Sequence, residues 1–180
     1  MVIDAEELTD VQNLEDSRGI AIDKVGISDS CCPITVLDRN NGRQVVKATV
    51  SMSVGLAHKF KGTHMSRFSE ILNQHRDEMT LNTLPELLED LRVRLEAESA
   101  QVEVCFTYFL ERSAPVTGVT GKMDYECTFK GASEPGGKDF ILGVTIPVAS
   151  LCPCSKEISA YGAHNQRGDV SIEVRWEGQG

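Results

Sequence analysis

The sequence predicts an α+β protein with an antiparallel sheet and helices on one face. Strand-like segments come first, helix-like segments are grouped in the middle, and strand-like segments return in the second half. This grouping is typical of α+β proteins, whereas regular strand–helix alternation would indicate a parallel sheet. With 180 residues, of which 41% are hydrophobic, the chain is long enough for one domain with its own core.

A β-hairpin is predicted near the start of the chain. Residues 20–37 are rich in Ile, Val and Thr, although Cys31, Cys32 and Pro33 interrupt the run. The Asn-Gly pair in the turn at 38–43 is a strong hairpin signal, because both residues tolerate a positive φ. Residues 44–56 then alternate between apolar and polar, as a half-buried strand does.

Two helices are predicted next. Ser66 is a candidate N-cap for the first, and apolar residues follow at helical spacing. Thr83 or Asn82 can cap the second, and Pro85 suits its first turn. Its apolar stripe consists of Leu84, Leu87, Leu88, Leu91 and Leu95. This stripe predicts that the second helix covers one face of the sheet.

The second half of the chain has a period of two, which predicts further strands. These lie at 101–112, 121–130, 140–148 and 169–176, separated by breaks that include 113–118 and 132–138. Cys105 and Cys127 fall within apolar strand-like runs and are interpreted as small core residues.

Charge and composition narrow the class of protein. The formal net charge of −9 argues against nonspecific binding to nucleic acid, which requires a basic face. No run of apolar residues reaches the roughly 18 residues that would indicate a membrane-spanning helix. Residues 1–19 are acidic and lack the features of a secretory signal, so we expect a cytoplasmic protein. We interpret 1–19 as an N-terminal arm and 20–180 as a single module.

The segment 151–168 combines reactive and polar side chains with glycines. Cys152 and His164 are a natural chemical pair, because a thiolate and an imidazole both bind Zn²⁺ or Fe²⁺ and can also form a nucleophile–base pair. The alternative is that Cys152 packs and His164 caps a turn. Pro153 predicts an extended segment, which would direct Cys152 and Cys154 to similar sides.

Four further residues are candidates for substrate binding. Ser155 and Lys156 suit a phosphate or a substrate hydroxyl, with a solvated turn as the equal alternative. His64 and Arg67 lie at a predicted helix start beside a glycine, where backbone N–H groups favour an anion. An ordinary helix start on the protein surface would explain His64 and Arg67 equally well.

Several motifs together resemble one known family. Residues 151–159 (LCPCSKEIS) followed by 162–167 (GAHNQR) are similar to the signature of GTP cyclohydrolase I type B, a prokaryotic metal-dependent family. Shorter matches are found at 10–12 (DVQ), 24–26 (KVG), 62–68 (GTHMSRF), 114–116 (APV) and 142–143 (LG).

The resemblance implies a tunnelling fold, in which a four-stranded antiparallel sheet has two helices on one face in the order ββααββ. It also implies two such modules in tandem and a homotetramer with active sites at interfaces. The implied enzyme is a hydrolase acting on a cyclic amidine C–N bond. It converts GTP to 7,8-dihydroneopterin triphosphate and formate, the first step towards folate, other pterins and queuosine.

The resemblance also implies roles for individual residues. Cys152 corresponds to the family's essential cysteine and metal ligand, and His164 to its metal-binding histidine, for Fe²⁺, Mn²⁺ or Zn²⁺. That ion would activate water for attack on C8 of guanine. His64, Arg67, Ser155 and Lys156 lie in matching motifs and are candidate substrate-binding residues. GTP is the implied partner, with no nucleic acid and no membrane.

Family chains are longer, and the part absent here supplies further metal ligands. Two alternatives to an active enzyme therefore stay open. The chain could be a non-catalytic module that binds a purine or pterin or serves as an assembly subunit, or a fragment that is active only with the missing module. A nitrile reductase with a nucleophilic cysteine and NADPH is a third, weaker possibility.

Overall fold

A six-stranded antiparallel sheet dominates the protein. The computed structural model describes residue 17 and residues 19–176. The strands are β1 (Ile22–Asp38), β2 (Gly42–Leu56), β3 (Ala100–Ser113), β4 (Thr120–Glu134), β5 (Gly137–Leu151) and β6 (Asn165–Trp176). The helices are α1 (Met65–His75), α2 (Leu84–Arg94) and α3 (Pro153–Ile158). Apart from 17 and 19, the predicted arm at 1–19, with its motif at 10–12, lies outside the described residues.

The predicted fold class, an α+β tunnelling fold in the order ββααββ, is wrong. The sheet has six strands in the spatial order β1-β2-β3-β4-β5-β6, not four, and a third helix lies between β5 and β6. Strands far outweigh the three short helices. The extra strands join because β6 pairs along its whole length with β5 and β5 pairs with β4, so the ladder continues instead of ending at β4.

The core lies between one face of the sheet and the first two helices. Alternate β2 residues from Val46 to Leu56 are buried on this face. The apolar stripe of α2 packs over the neighbouring strands β3 and β4, and its residues Leu84, Leu87, Leu88 and Leu91 are each 0% exposed. Burial of one such side chain contributes on the order of 1.5–3 kcal/mol. We name the opposite side of the sheet, which no described helix covers, the open face.

The helix starts were predicted with mixed success. Thr83 is the N-cap of α2 and Pro85 follows in its first turn, as expected. The N-cap of α1 is His64, not Ser66.

The chain after α1 is held to β1 by two backbone hydrogen bonds. The Thr35 N–H donates to the Arg76 carbonyl at 2.9 Å, and the Met79 N–H donates to the Thr35 carbonyl at 2.8 Å.

The two cysteines predicted as core residues lie on different faces. Cys127 is buried among the residues that pack under the helices, as predicted. Cys105 is exposed, so the prediction for this residue is wrong. The reason is the strand period: Val104 and Phe106 take the core-facing positions, which places Cys105 on the open face.

An apolar strip extends beyond the helices on the core side of β5 and β6. Its β6 residues Val170, Ile172 and Val174 are 44%, 47% and 56% exposed. They pair with Ile146, Val144 and Leu142 of β5, which pack at the edge of the core. The main helix–sheet contacts of α1 and α2 are with β1, β3 and β4.

No helix among the described residues is long and apolar enough to span a membrane.

Asp38 ends the first strand as a buried carboxylate with four hydrogen-bond donors. Its Oδ1 accepts the backbone N–H groups of Asn40 and Asn41, at 2.8 and 2.7 Å. Its Oδ2 accepts the Gln44 side chain at 3.2 Å and the Tyr108 hydroxyl at 3.1 Å. The Asn41 N–H, followed by the other donors, holds the pKa of Asp38 below its usual range although burial acts to raise it.

We predict that Gly26→Ala destabilises the fold. A Cβ at position 26 would lie 2.7 Å from the Ser53 Cα, which is backbone of the neighbouring strand and has little room to move. The expected loss is at least ~2 kcal/mol in urea unfolding, as for other overpacked sites. Gly121→Ala is the matched control, since a Cβ there meets nothing within 4 Å. Equal stability of the two variants would contradict the close approach.

We predict that Asp38 accounts for part of the loss of stability in acid. Its folded-state pKa lies below the unfolded value of about 3.9, so its contribution is complete above that value. The contribution is lost as the pH falls through the folded-state pKa. In urea unfolding between about pH 6 and pH 3, Asp38→Asn should therefore lose less stability than the wild type. Asp124→Asn, at an exposed position on β4, should behave like the wild type.

Candidate functional site

The pairing of β5 with β6 brings Cys152 and His164 together. The ladder runs from Phe140 opposite Trp176 to Leu151 opposite Asn165. At the next position the Cys152 N–H donates to the His164 carbonyl at 3.2 Å. Residues directly opposite in an antiparallel pair project to the same side, with Cα atoms roughly 5 Å apart. The backbones of Cys152 and His164, twelve positions apart in the chain, are thus held next to each other, with both side chains on the same face of the sheet.

A short helix follows Cys152 directly, which the sequence reasoning missed. Cys152 is the N-cap residue in an extended conformation, and Pro153 is the first residue of α3. The Lys156 N–H closes the turn on the Cys152 carbonyl at 3.1 Å. The predicted extended segment is therefore wrong, and Cys154 lies exposed on the helix. Proline at a first helical position was the available signal.

The Cys152 thiol lies in surroundings that favour its thiolate form. The Ser155 hydroxyl donates to the Cys152 Sγ at 3.3 Å. This hydrogen bond, with help from the backbone N–H groups of Ser155 and Cys154, lowers the pKa of the Cys152 thiol below its ordinary value. The thiolate is both the metal-binding and the nucleophilic form of cysteine. Ser155 thus acts directly on the residue to which the resemblance assigns metal binding.

The loop between α3 and β6 forms a shallow, open depression of about 590 Å³. Ser155, Ile158, Tyr161 and His164 contribute to its lining. Ile158 and Tyr161 are 89% and 102% exposed, so large side chains stand unpacked around the candidate site. Lys156 is exposed on α3, one turn after Cys152. This surface can receive a ligand but does not enclose one.

His64 and Arg67 lie elsewhere in the fold. His64 precedes α1, and the Arg67 N–H donates to its carbonyl at 3.1 Å. The Arg67 Nη1 donates to the Arg94 carbonyl at 2.7 Å, at the C-terminal end of α2. Arg94 in turn forms an ion pair with Glu70 at 2.7 Å. The guanidinium of Arg67 therefore contributes to joining the two helices.

The structure does not bring these two pairs together within one chain. The C-terminal end of α2 is close to the start of β3 at Ala100, whereas Cys152 follows the end of β5. β3 and β5 run in the same direction, so these are opposite ends of the sheet. A strand of 15 residues, such as β5, spans roughly 45 Å. A single ligand cannot contact both ends.

As a metal site, the Cys152–His164 pair is suitable but incomplete. A thiolate and a neutral imidazole are a donor set that Zn²⁺ and other divalent transition metals accept. A catalytic zinc site ordinarily has three protein ligands. Among residues 17 and 19–176, no group of three or more His, Cys, Asp and Glu side chains could hold an ion. The pair supplies two of the three protein ligands of such a site.

Comparisons with known proteins agree on one family. Over residues 8–180 the sequence matches the family described as "Type I GTP cyclohydrolase folE2". The chain is 51% identical over 170 residues to a "GTP cyclohydrolase FolE2" of Syntrophus aciditrophicus, covering 94% of this chain and 67% of that one. It is 53% identical over 169 residues to the protein of the same name from Azoarcus sp., covering 93% and 63%.

A solved structure with some likeness is a uricase from Bacillus fastidious. It has a TM-score of 0.46 and 10% sequence identity, and the match covers 85% of this chain and 63% of that chain. At this level it supports no statement about function. The chain spans 63–67% of the length of the two curated relatives described above. Because the family match covers nearly the whole sequence, this chain belongs to the type I GTP cyclohydrolase FolE2 family.

Proposed function

We propose that this chain contributes one part of the active site of a GTP cyclohydrolase. The proposed reaction hydrolyses GTP to 7,8-dihydroneopterin triphosphate and formate. It opens the imidazole ring of guanine, releases C8 as formate and closes the ribose carbons onto the freed amines. The supporting observation is the juxtaposition of Cys152 and His164 at the end of the β5–β6 ladder, in a chain of this family.

In the proposed site, Cys152 and His164 hold a divalent metal ion, which is Fe²⁺, Mn²⁺ or Zn²⁺. When bound, such an ion supplies a Lewis acid that makes water a stronger nucleophile at neutral pH. The chain's own contribution is to prepare the ligands. The Ser155 hydroxyl favours the thiolate of Cys152, and the Cys152 N–H holds the backbone of His164 opposite it.

Lys156 and Ser155 are proposed to bind the substrate near this pair. The chain has a net charge of −9, so a triphosphate needs a local cation to approach. Lys156 is exposed within one helical turn of Cys152. Arg167 of β6 lies opposite Ala149, a short distance along the same ladder. Lys156 is thus the cation beside Cys152, whereas Arg167 projects to the opposite face of the sheet from Cys152 and His164.

The remaining metal ligands are proposed to come from outside the described residues. The core-side apolar strip of β5 and β6 leads directly to Cys152 and His164, so a segment or subunit packed on it would reach them. His64 and Arg67, at the other end of the sheet, would then belong to the site of another copy. A homotetramer with sites at interfaces, in the cytoplasm, is the assembly we propose.

One observation favours a non-catalytic alternative for the chain as it stands. Within the described residues the metal site has two ligands and no third. A module that binds a purine or pterin, or a fragment active only with the remaining third of a family chain, would have this property. Measuring GTP hydrolysis by the 180-residue chain and by a full-length family protein separates the alternatives.

We predict that Cys152→Ala in the intact enzyme removes most of the bound metal and lowers the rate of formate release at least ~100-fold, a loss typical of a removed catalytic group. Metal content by elemental analysis and formate by a coupled assay are the measurements. Cys154→Ala is the matched control, since this thiol is exposed on α3 and its side chain is the smallest of the causes that lower the Cys152 pKa, so most of the activity should be retained. Retained activity in Cys152→Ala would exclude the proposed role.

We predict that Ser155→Ala raises the pKa of the Cys152 thiol. The hydroxyl that stabilises the thiolate is lost, so alkylation of Cys152 should require a higher pH. The measurement is the rate of iodoacetamide labelling against pH, followed by peptide mass spectrometry on metal-free protein. Ser159→Ala, just after α3, serves as the control. An unchanged pH profile in Ser155→Ala would show that this hydrogen bond does not tune the thiol.

A further inference from the structure

The open face of the sheet contains a groove of about 660 Å³ that the proposed GTP site does not use. The groove crosses β1 to β5 near the end of the sheet where β3 begins. None of its lining residues belongs to the segment 151–168. Its size is within the range of small-molecule sites.

Small side chains explain why the open face of the sheet has a groove here. Ser53 lies opposite Gly26 on one side and Gln101 on the other, and Ala132 follows on β4. Ser51 occupies the next open-face position along β2. Glycine, serine and alanine leave space above the backbone, while the longer Gln101 stands between them. Serine hydroxyl groups therefore line the bottom of the groove, and longer polar side chains form its sides.

The rim on β1 is shaped by a β-bulge. The pairing with β2 shifts between Ile27 and Ser30, so that Ser28 and Asp29 both lie opposite Ser51. Asp29 adopts a positive φ of 53°, and its N–H donates to the Ser51 Oγ at 3.1 Å. Bulges of this kind often redirect side chains beside functional sites. The hydrogen bond holds the rim in one conformation.

The sequence motif 24–26 (KVG) forms this same rim. Val25 packs against the core, so Lys24 and Gly26 face the groove. Gly26 is required because a Cβ there would collide with the backbone of β2. The Cys152 site does not explain this motif, which lies on another strand. The close approach of the Gly26 backbone to β2 fixes the backbone of this rim, from which the exposed Lys24 side chain extends.

The charges of the groove are arranged unevenly. On the β4–β6 side they are paired: Lys130 binds Glu173 at 2.7 Å, and Arg175 binds Asp139 at 2.9 Å. On the β1–β3 side, Lys24, Ser28, Ser53 and Gln101 form no side-chain hydrogen bond or ion pair within the part of the chain that the structure describes. Their ammonium, hydroxyl and amide groups are all donors. The acids on this side are Asp29 at the bulge and Glu103, which lies directly opposite Lys130.

We infer that the Lys24 end of this groove binds an oxyanion group, a phosphate or a carboxylate, of a small molecule. Lys24 supplies the charge, and the Ser28, Ser53 and Gln101 side chains supply neutral hydrogen bonds. The paired side towards β5 receives the uncharged polar part of the ligand. This site goes beyond the proposed GTP chemistry and does not depend on Cys152 or on a metal.

The test is calorimetric titration of the metal-free 180-residue chain with inorganic pyrophosphate and, separately, with citrate. The wild type should bind at least one probe saturably at a single site. Binding of pyrophosphate alone identifies a phosphate site, citrate alone a carboxylate site, and both a general oxyanion site. Absence of saturable binding for both probes would overturn the inference.

Two variants locate the binding. Lys24→Ala should weaken the affinity at least tenfold, and Ser53→Ala severalfold. Lys47→Ala is the matched control, an exposed lysine on the open face of β2 away from the groove, and should leave the affinity within about twofold of wild type. Circular dichroism verifies that each variant is folded. Equal losses in Lys24→Ala and Lys47→Ala would show nonspecific attraction and overturn the site.

Discussion

The backbone pairing of β5 with β6 is the constraint on which the candidate site depends. The ladder continues in one register to Leu151 and Asn165, and one more backbone hydrogen bond joins Cys152 to His164. Each of these bonds contributes only about 1 kcal/mol net, but together they determine the register. A slip by one residue would place the thiol and the imidazole on opposite faces. The chemistry proposed here thus depends on strand register more than on the loop between the two residues.

The core, the candidate metal site and the polar groove lie on different faces and ends of the sheet. The core-side face of β1–β4 packs under α1 and α2 and provides stability. The end of β5 and β6 holds the thiol, the imidazole and a nearby lysine. The open face near the start of β3 holds a polar groove with a fixed rim. Because the last two lie far apart, changes in one should affect the other little.

Much of the fold could be predicted from local patterns. The hairpin turn at Asn41-Gly42, the cap and proline of α2, and the leucine stripe all appear in the structure, because each depends on residues close in sequence. The six-stranded order could not be predicted by the same means. Whether β5 and β6 join the sheet depends on long-range pairing, which an alternating pattern permits but does not specify.

The site shows the same division between local and long-range information. The chemistry of Cys152 and His164 was apparent from residue type, and their proximity follows from pairing at the end of a ladder. The Ser155 contact could not be predicted from the sequence because it depends on α3, and a helix of six residues is too short to show a helical period. The sequence motif associates His64 and Arg67 with substrate binding, yet the fold places them at the other end of the sheet from Cys152.

Cobalt(II) absorption spectroscopy on the intact enzyme tests the central claim most directly. A thiolate ligand produces an intense charge-transfer band in the near ultraviolet. If Cys152 and His164 share one metal ion, the band disappears in Cys152→Ser and persists in Cys154→Ser, while His164→Ala changes the visible ligand-field bands. A band that persists in Cys152→Ser but is lost in Cys154→Ser would contradict this account.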